Sequence, residues 1–358
     1  MTSTTKTTRE FNMDLERVLL IFMVIVLHYN NRAMGGALTY GYVGGVTEVL
    51  VRFSQSLSIC AVDAFLILSG YFSATGTYTL RGCIRKSVWL LMTCSFYRVI
   101  GYLIYALAVT GDFSIKTLVA YIIPANWYVC MFVTVIMLCP YLNKLLGLLG
   151  TKSRRELIGV MSVLFCVVPT VVSLGSDILG VNLQGLTTIT MDGDIDGFTI
   201  VSFVYCYCLG YCIRQEKKIC DQNRAIYYLA IYLVSAMAAT SISYYTEKVW
   251  SYSGIFTVIC ALALTLFFAK VRVGNEIIGK LASAIGGCGL VIFVWHTMPL
   301  MIFGYWVHMG IDSIGTGTAR YLGNFWISTL SMYLLSAVWV YACRCVVRII
   351  RSKTKSKA

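Results

Sequence analysis

Charge is scarce in this chain. Of 358 residues only 13% are charged, 16 are Asp or Glu, and 58% are hydrophobic. Soluble domains carry roughly 25% charged residues, so a soluble protein of this length would lack the charge to cover its surface. The mean hydropathy of +0.76 agrees. A soluble enzyme, a DNA-binding domain and a disordered chain are excluded as readings of the whole. A disulfide framework is missing too. The 14 Cys fall in apolar blocks or basic loops, among them Cys60, Cys94, Cys130, Cys139, Cys166 and Cys260. They read as small apolar residues of lipid-embedded helices. Cys206, Cys208 and Cys212 cluster with no His or second Cys pair nearby, so no metal is expected. No cleavable signal peptide is expected, because the first 17 residues mix acid and base and no small-residue cleavage site follows the first apolar run. No internal repeat of the kind many transporters carry stands out.

What is present is a series of long apolar runs. Ten candidate spans lie at roughly 15–33, 48–73, 88–109, 127–149, 156–174, 198–213, 225–244, 253–271, 288–308 and 325–348. Runs of about 20 residues are membrane helices, not the 10-residue alternating strands of a barrel. With the N-terminus placed inside, 23 of the 29 Lys and Arg fall in inner segments and only Arg32, Lys116, Lys248 and Arg320 fall outside, while Arg52 and Arg98 lie within spans. Basic residues concentrate on the cytosolic side. The expected architecture is therefore an all-α polytopic helix bundle of about ten transmembrane helices with both termini cytosolic. Its parts are a cytosolic segment 1–14, a single membrane domain 15–348 and a basic tail 349–358. The net charge of +13 becomes a topology signal and does not point to nucleic acid. Two further segments have their own character. Residues 115–123 are too short to span and suit the outer interface. The outer loop 175–197 has no Lys or Arg and carries Asp177, Asp192, Asp194 and Asp196, which suits either a solvated linker or a lid that touches sugar.

Ionisable groups inside spans are costly and are functional candidates. Here they are His28, Asp63, Arg98 and His296, with Arg17 at the inner edge of the first span. Arg17 and His28 are eleven residues apart, about 20° off one helix face with a rise of roughly 16 Å. Asp14 shares that stripe. Counted from the inner ends of their spans, Asp63, Arg98 and His296 stand at about 14, 15 and 12 Å, so four helices bring a polar group to one depth. A neutral imidazole there can take a proton from a hydroxyl as general base, and an Asp on its other nitrogen would fix the tautomer. His28 is the best candidate, with Asp63 as its companion and His296 as a second acid–base group or substrate contact. The plain alternative is a structural polar knot. Ser69-Gly70-Tyr71 reads as a helix end on Gly, and Asn126-Trp127-Tyr128 as an outer aromatic belt or a substrate contact. Arg81, Arg85 and Lys86 form an inner basic cluster suited to phosphate.

The chain resembles acyltransferase family 3, the polytopic membrane acyltransferases of surface polysaccharides. The residues that carry the likeness are Asp14-Leu-Glu-Arg17 followed by ten residues and His28; Val62-Asp63-Ala-Phe65-Leu-Ile-Leu-Ser69-Gly70-Tyr71-Phe72; Trp127-Tyr128 with Leu138-Cys139-Pro140; and Trp295-His296-Thr-Met-Pro299. They run in order over roughly residues 13–310. The resemblance implies a catalytic His28 with Arg17 as its obligatory companion, and cytosolic acyl-CoA as donor. Trp89 stands where family members commonly carry an Arg. The expected function is transfer of an acyl group, acetyl in the first instance, to a hydroxyl of a cell-surface or lipid-linked glycan at the cytoplasmic membrane. Arg81, Arg85 and Lys86 would hold the donor, Arg98, Trp127, Tyr128 and His296 the acceptor, and no metal takes part. The rivals are a flippase for a lipid-linked saccharide, which would use the same polar residues as a path, and a polysaccharide polymerase, which the Arg-poor outer loops disfavour.

Overall fold

The computed structural model describes residues 10–32, 34–40, 44–183, 185–189, 198–216, 224–297 and 317–355. Asp192, Asp194, Asp196 and Pro299 lie outside them, as does most of the stretch 1–14. Among the described residues the chain is helical, with no strand. The helices are α1 (Phe11–Asn30), α2 (Gly45–Ser58), α3 (Ala61–Ser73), α4 (Leu80–Ile104), α5 (Ile115–Ile122), α6 (Trp127–Leu148), α7 (Thr151–Leu179), α8 (Ile200–Gln215), α9 (Ala225–Ser243), α10 (Ile255–Lys270), α11 (Glu276–Gly286), α12 (Gly289–Trp295) and α13 (Thr318–Lys355). The starts follow local chemistry. Thr79, Asn126 and Thr199 each turn a side-chain oxygen onto a free N–H of the helix that follows, the usual way to satisfy donors that the helix leaves open.

Seven helical stretches are long and apolar enough to cross a membrane, and the α11–α12 pair makes an eighth if it is one broken span. The other two expected runs are also helices. However, α1 carries Asp14, Glu16 and Arg17 in its first two turns, and α8 has only 16 residues. The ninth run begins earlier than its hydropathy suggests, at Glu276, and bends by 50° between α11 and α12. The bend falls on Gly287 and Cys288, just after Gly286, a pair of glycines being a common cause of a kink. The short α5 has no buried residue.

Burial divides the bundle. In the α2–α3 run 78% of the most apolar window is buried, against 28% in α7 and in α9. The core therefore sits on α1 and α3, with α8 and α10 against them, and α4, α7 and α9 turn much of their surface outward. Helices α3 and α8 approach closely through glycine. A Cβ on Gly70 would run into the Tyr207 carbonyl, and one on Gly210 into that of Ile67. Small residues let helix backbones meet this way in membranes. Gly70 is thus a helix-crossing residue within α3 and not the helix end expected of it. At the other end of the α2–α3 run, Arg52 pairs with Glu48 at 2.8 Å and donates to the Ser243 carbonyl at 2.6 Å, which ties α2 to α9.

Candidate active site

Where α3 ends and α4 begins, the bundle opens into a vestibule of about 830 Å³. The turn Thr77–Thr79 forms one wall. Arg85, Lys86 and Trp89, on successive turns of α4, line it together with Tyr207 of α8 and Arg17 of α1. Arg81, on the exposed first turn of α4, is not in the lining. Three cations around a cavity with aromatic walls suit a ligand that is part phosphate and part flat ring.

Arg17 stands at the inner end of this space. It also lines a second, smaller chamber of about 180 Å³, which shares Ser69 and Phe132 with the vestibule and continues to Tyr128, Leu290 and Phe293. The two spaces therefore meet at Arg17. Its guanidinium donates to Asp14 at 2.6 Å and lies 4.4 Å from the ring centre of Phe72. Asp14 is buried, 1% exposed, and also accepts a hydrogen bond from Ser283 of α11 at 3.0 Å. Gly286 makes this approach possible, since a Cβ there would fall 2.9 Å from the Asp14 carbonyl oxygen. The expected Asp14–Arg17 pair is thus a three-point clamp between α1 and α11.

Beyond the chamber, Phe293 packs on Tyr128 with ring centres 4.7 Å apart and on His296 at 5.6 Å. His296 follows the last residue of α12 and stacks on His28 of α1, with centres 4.7 Å apart and ring planes 25° from parallel. The Nδ1 of His296 lies 2.5 Å from the Phe293 carbonyl oxygen. A carbonyl only accepts, so Nδ1 carries the hydrogen and Nε2 the lone pair. His296 is 1% exposed, and its Nε2 has no hydrogen-bond partner among the described residues. His28 is less deeply buried than its neighbour.

Not every expected residue joins this site. Asp63 is buried, 2% exposed, and interacts with the Cys206 thiol of α8, while its Oδ2 is without a partner among the described residues. The carboxylate–imidazole pair expected of Asp63 and His28 is not formed. Arg98 points toward the interfacial helix, its guanidinium 5.1 Å from the ring centre of Tyr121 on α5. The neighbours Trp127 and Tyr128 part company. Trp127 joins an aromatic cluster with Phe198 and Tyr252, while Tyr128 is buried and lines the inner chamber. Asp177, in the acidic segment expected on the outer side, pairs with Lys248 at 2.7 Å. Ser69, expected as part of a helix end and of the family likeness, lines both cavities. Two residues escaped the sequence reading. Ser283 holds Asp14. Glu16 is fully buried and accepts from Thr265 of α10 at 2.7 Å. A third ionisable group beside Asp14 and Arg17, at the start of the first apolar run, is the signal that marks Glu16. Ser283 carries no such signal.

A family model described as an acyltransferase domain matches residues 10–345. No curated protein and no solved structure matches the chain.

Proposed function

The chain belongs to this family of membrane acyltransferases, and on that premise we propose that it moves an acyl group from cytosolic acyl-CoA to a hydroxyl of a cell-surface or lipid-linked glycan at the cytoplasmic membrane. The observation that carries the reading is the pair of joined cavities, which run from a basic mouth past Arg17 to Phe293, beside the stacked His28 and His296. Arg85 and Lys86 hold the phosphates of the donor and Trp89 offers a flat face to its adenine. The vestibule accommodates the bulky end of such a donor, and the narrower chamber suits its thin pantetheine arm. Arg17 guides the arm through the neck.

At the top of this path the thioester meets His28. The imidazole removes the proton of the acceptor hydroxyl, the oxygen attacks the thioester carbon, and the proton returns to the departing sulfur. An acetyl group is the simplest cargo. Tyr128 closes the chamber beneath the reacting atoms.

The experiment supplies labelled acetyl-CoA to membranes that contain the protein and follows label into glycan. Transfer that depends on His28 supports the reading. Full transfer by a well-expressed His28→Ala variant overturns the catalytic assignment. Movement of lipid-linked saccharide without acyl-CoA would favour a flippase.

A further inference from the structure

A base that works through one ring nitrogen needs something to hold the other, and the carboxylate best placed by sequence, Asp63, is engaged with Cys206. The group that does lie against His28 is His296, 4.7 Å away between ring centres. Its own orientation is fixed from behind, because Nδ1 donates to the Phe293 carbonyl at 2.5 Å and so presents Nε2 as an acceptor. That Nε2 is buried and has no partner among the described residues. A buried acceptor left open in this way is costly unless a donor comes to it. With the rings now stacked, turning the His28 ring on edge brings its N–H toward the lone pair. Catalytic hydrogen bonds are often loose in the free enzyme and tighten when substrate is bound.

We propose that His296 is the positioning residue of the reaction, and that its Nε2 accepts the N–H of His28 when substrate is bound. The relay runs from His28 to His296 and on to the Phe293 carbonyl. It fixes the tautomer of His28 so that the opposite nitrogen faces the acceptor hydroxyl, and it disperses the positive charge that His28 acquires. No bond is made to His296, and its proton stays on Nδ1. The inference rests on His28 being the base, as set out above.

The test compares His296→Leu with His296→Gln in membranes, at equal amounts of folded protein, with labelled acetyl-CoA as donor. Gln keeps a side-chain carbonyl able to accept the His28 N–H, and Leu does not. The Leu variant is expected to lose about 100-fold or more in kcat, on the order of what loss of an orienting partner costs elsewhere, with KM for acetyl-CoA within about twofold. The Gln variant is expected to regain at least about tenfold of that loss. Equal losses in Leu and Gln, or a change confined to KM, would overturn the role of His296 while leaving His28 as the base. Full activity in His28→Ala would instead overturn the reading on which it rests, so the two failures are told apart.

Discussion

The vestibule and the histidine couple both draw on α1, the one with α3, α4 and α6 and the other with the end of α12, yet they are built in opposite ways. The vestibule is wide, basic and lined by exposed side chains of α4 such as Lys86 and Trp89. The couple is narrow, free of nearby lysine or arginine contacts among those described, and closed over by Phe293 and Tyr128. A phosphate-bearing ligand can be gripped by several mobile cations, each of which adds a little. A proton transfer needs two rings held in one geometry. Substitutions should therefore act gradually at the vestibule and sharply at the histidines, with Arg17 between the two regimes because it belongs to both cavities.

The sharpest test of this contrast is His28→Ala, expected to lower transfer by about 10³-fold, within the range that general-base catalysis supplies, with the KM for acetyl-CoA little changed. Next comes Arg17→Gln, which removes the guanidinium that pairs with buried Asp14. Breaking a buried charge pair is strongly destabilising to the group left behind, so transfer should fall by about 100-fold, with both kcat and KM affected. The double change Arg85→Gln with Lys86→Gln should raise the KM for acetyl-CoA by about tenfold, leave kcat near its normal value, and weaken the dependence of KM on salt. Charge-assisted hydrogen bonds of about 1.5–3 kcal/mol justify that size, and exposure trims it. An unchanged KM would remove the vestibule from donor binding. The smallest effect is expected of Asp63→Asn. If Asp63 oriented His28, kcat would drop by about 10⁴-fold, as it does when a base loses its tautomer partner. Because Asp63 faces Cys206 and makes no hydrogen bond to His28 among the described residues, the loss should stay below about tenfold and show mainly in thermal stability.

Much of the fold was legible in the sequence. Among the described residues the expected apolar runs are helical, the ninth being described only to residue 297, and the short segment at Ile115–Ile122 is a helix with no buried residue. What escaped notice was polar or small. Helix α11 carries the surface pair Glu276 and Lys280 at 2.8 Å, which dilutes its hydropathy, so its apolar face against α1 could not be told from a loop. Gly70 looked like a helix end because glycine usually ends helices. Its real role depends on Tyr207 of another helix, which no local pattern reveals. The site was half legible. Arg17 and His28 were found because they share one stripe of one helix, and the Arg85–Lys86 cluster because it interrupts apolar sequence. Ser283 and Glu16 were not found, since their partners, Asp14 and Thr265, lie far along the chain.

The sequence by itself determined that this is a membrane helix bundle, and from the fixed rise of a helix it gave the expectation that His28, Asp63, Arg98 and His296 share one height. Height is one coordinate of a buried side chain. The other is the direction its helix turns it, and that is set by packing between helices. Tertiary structure alone turned His296 toward His28, Asp63 toward Cys206 and Arg98 toward Tyr121. One helix placed the imidazole, and contact between helices chose its partner.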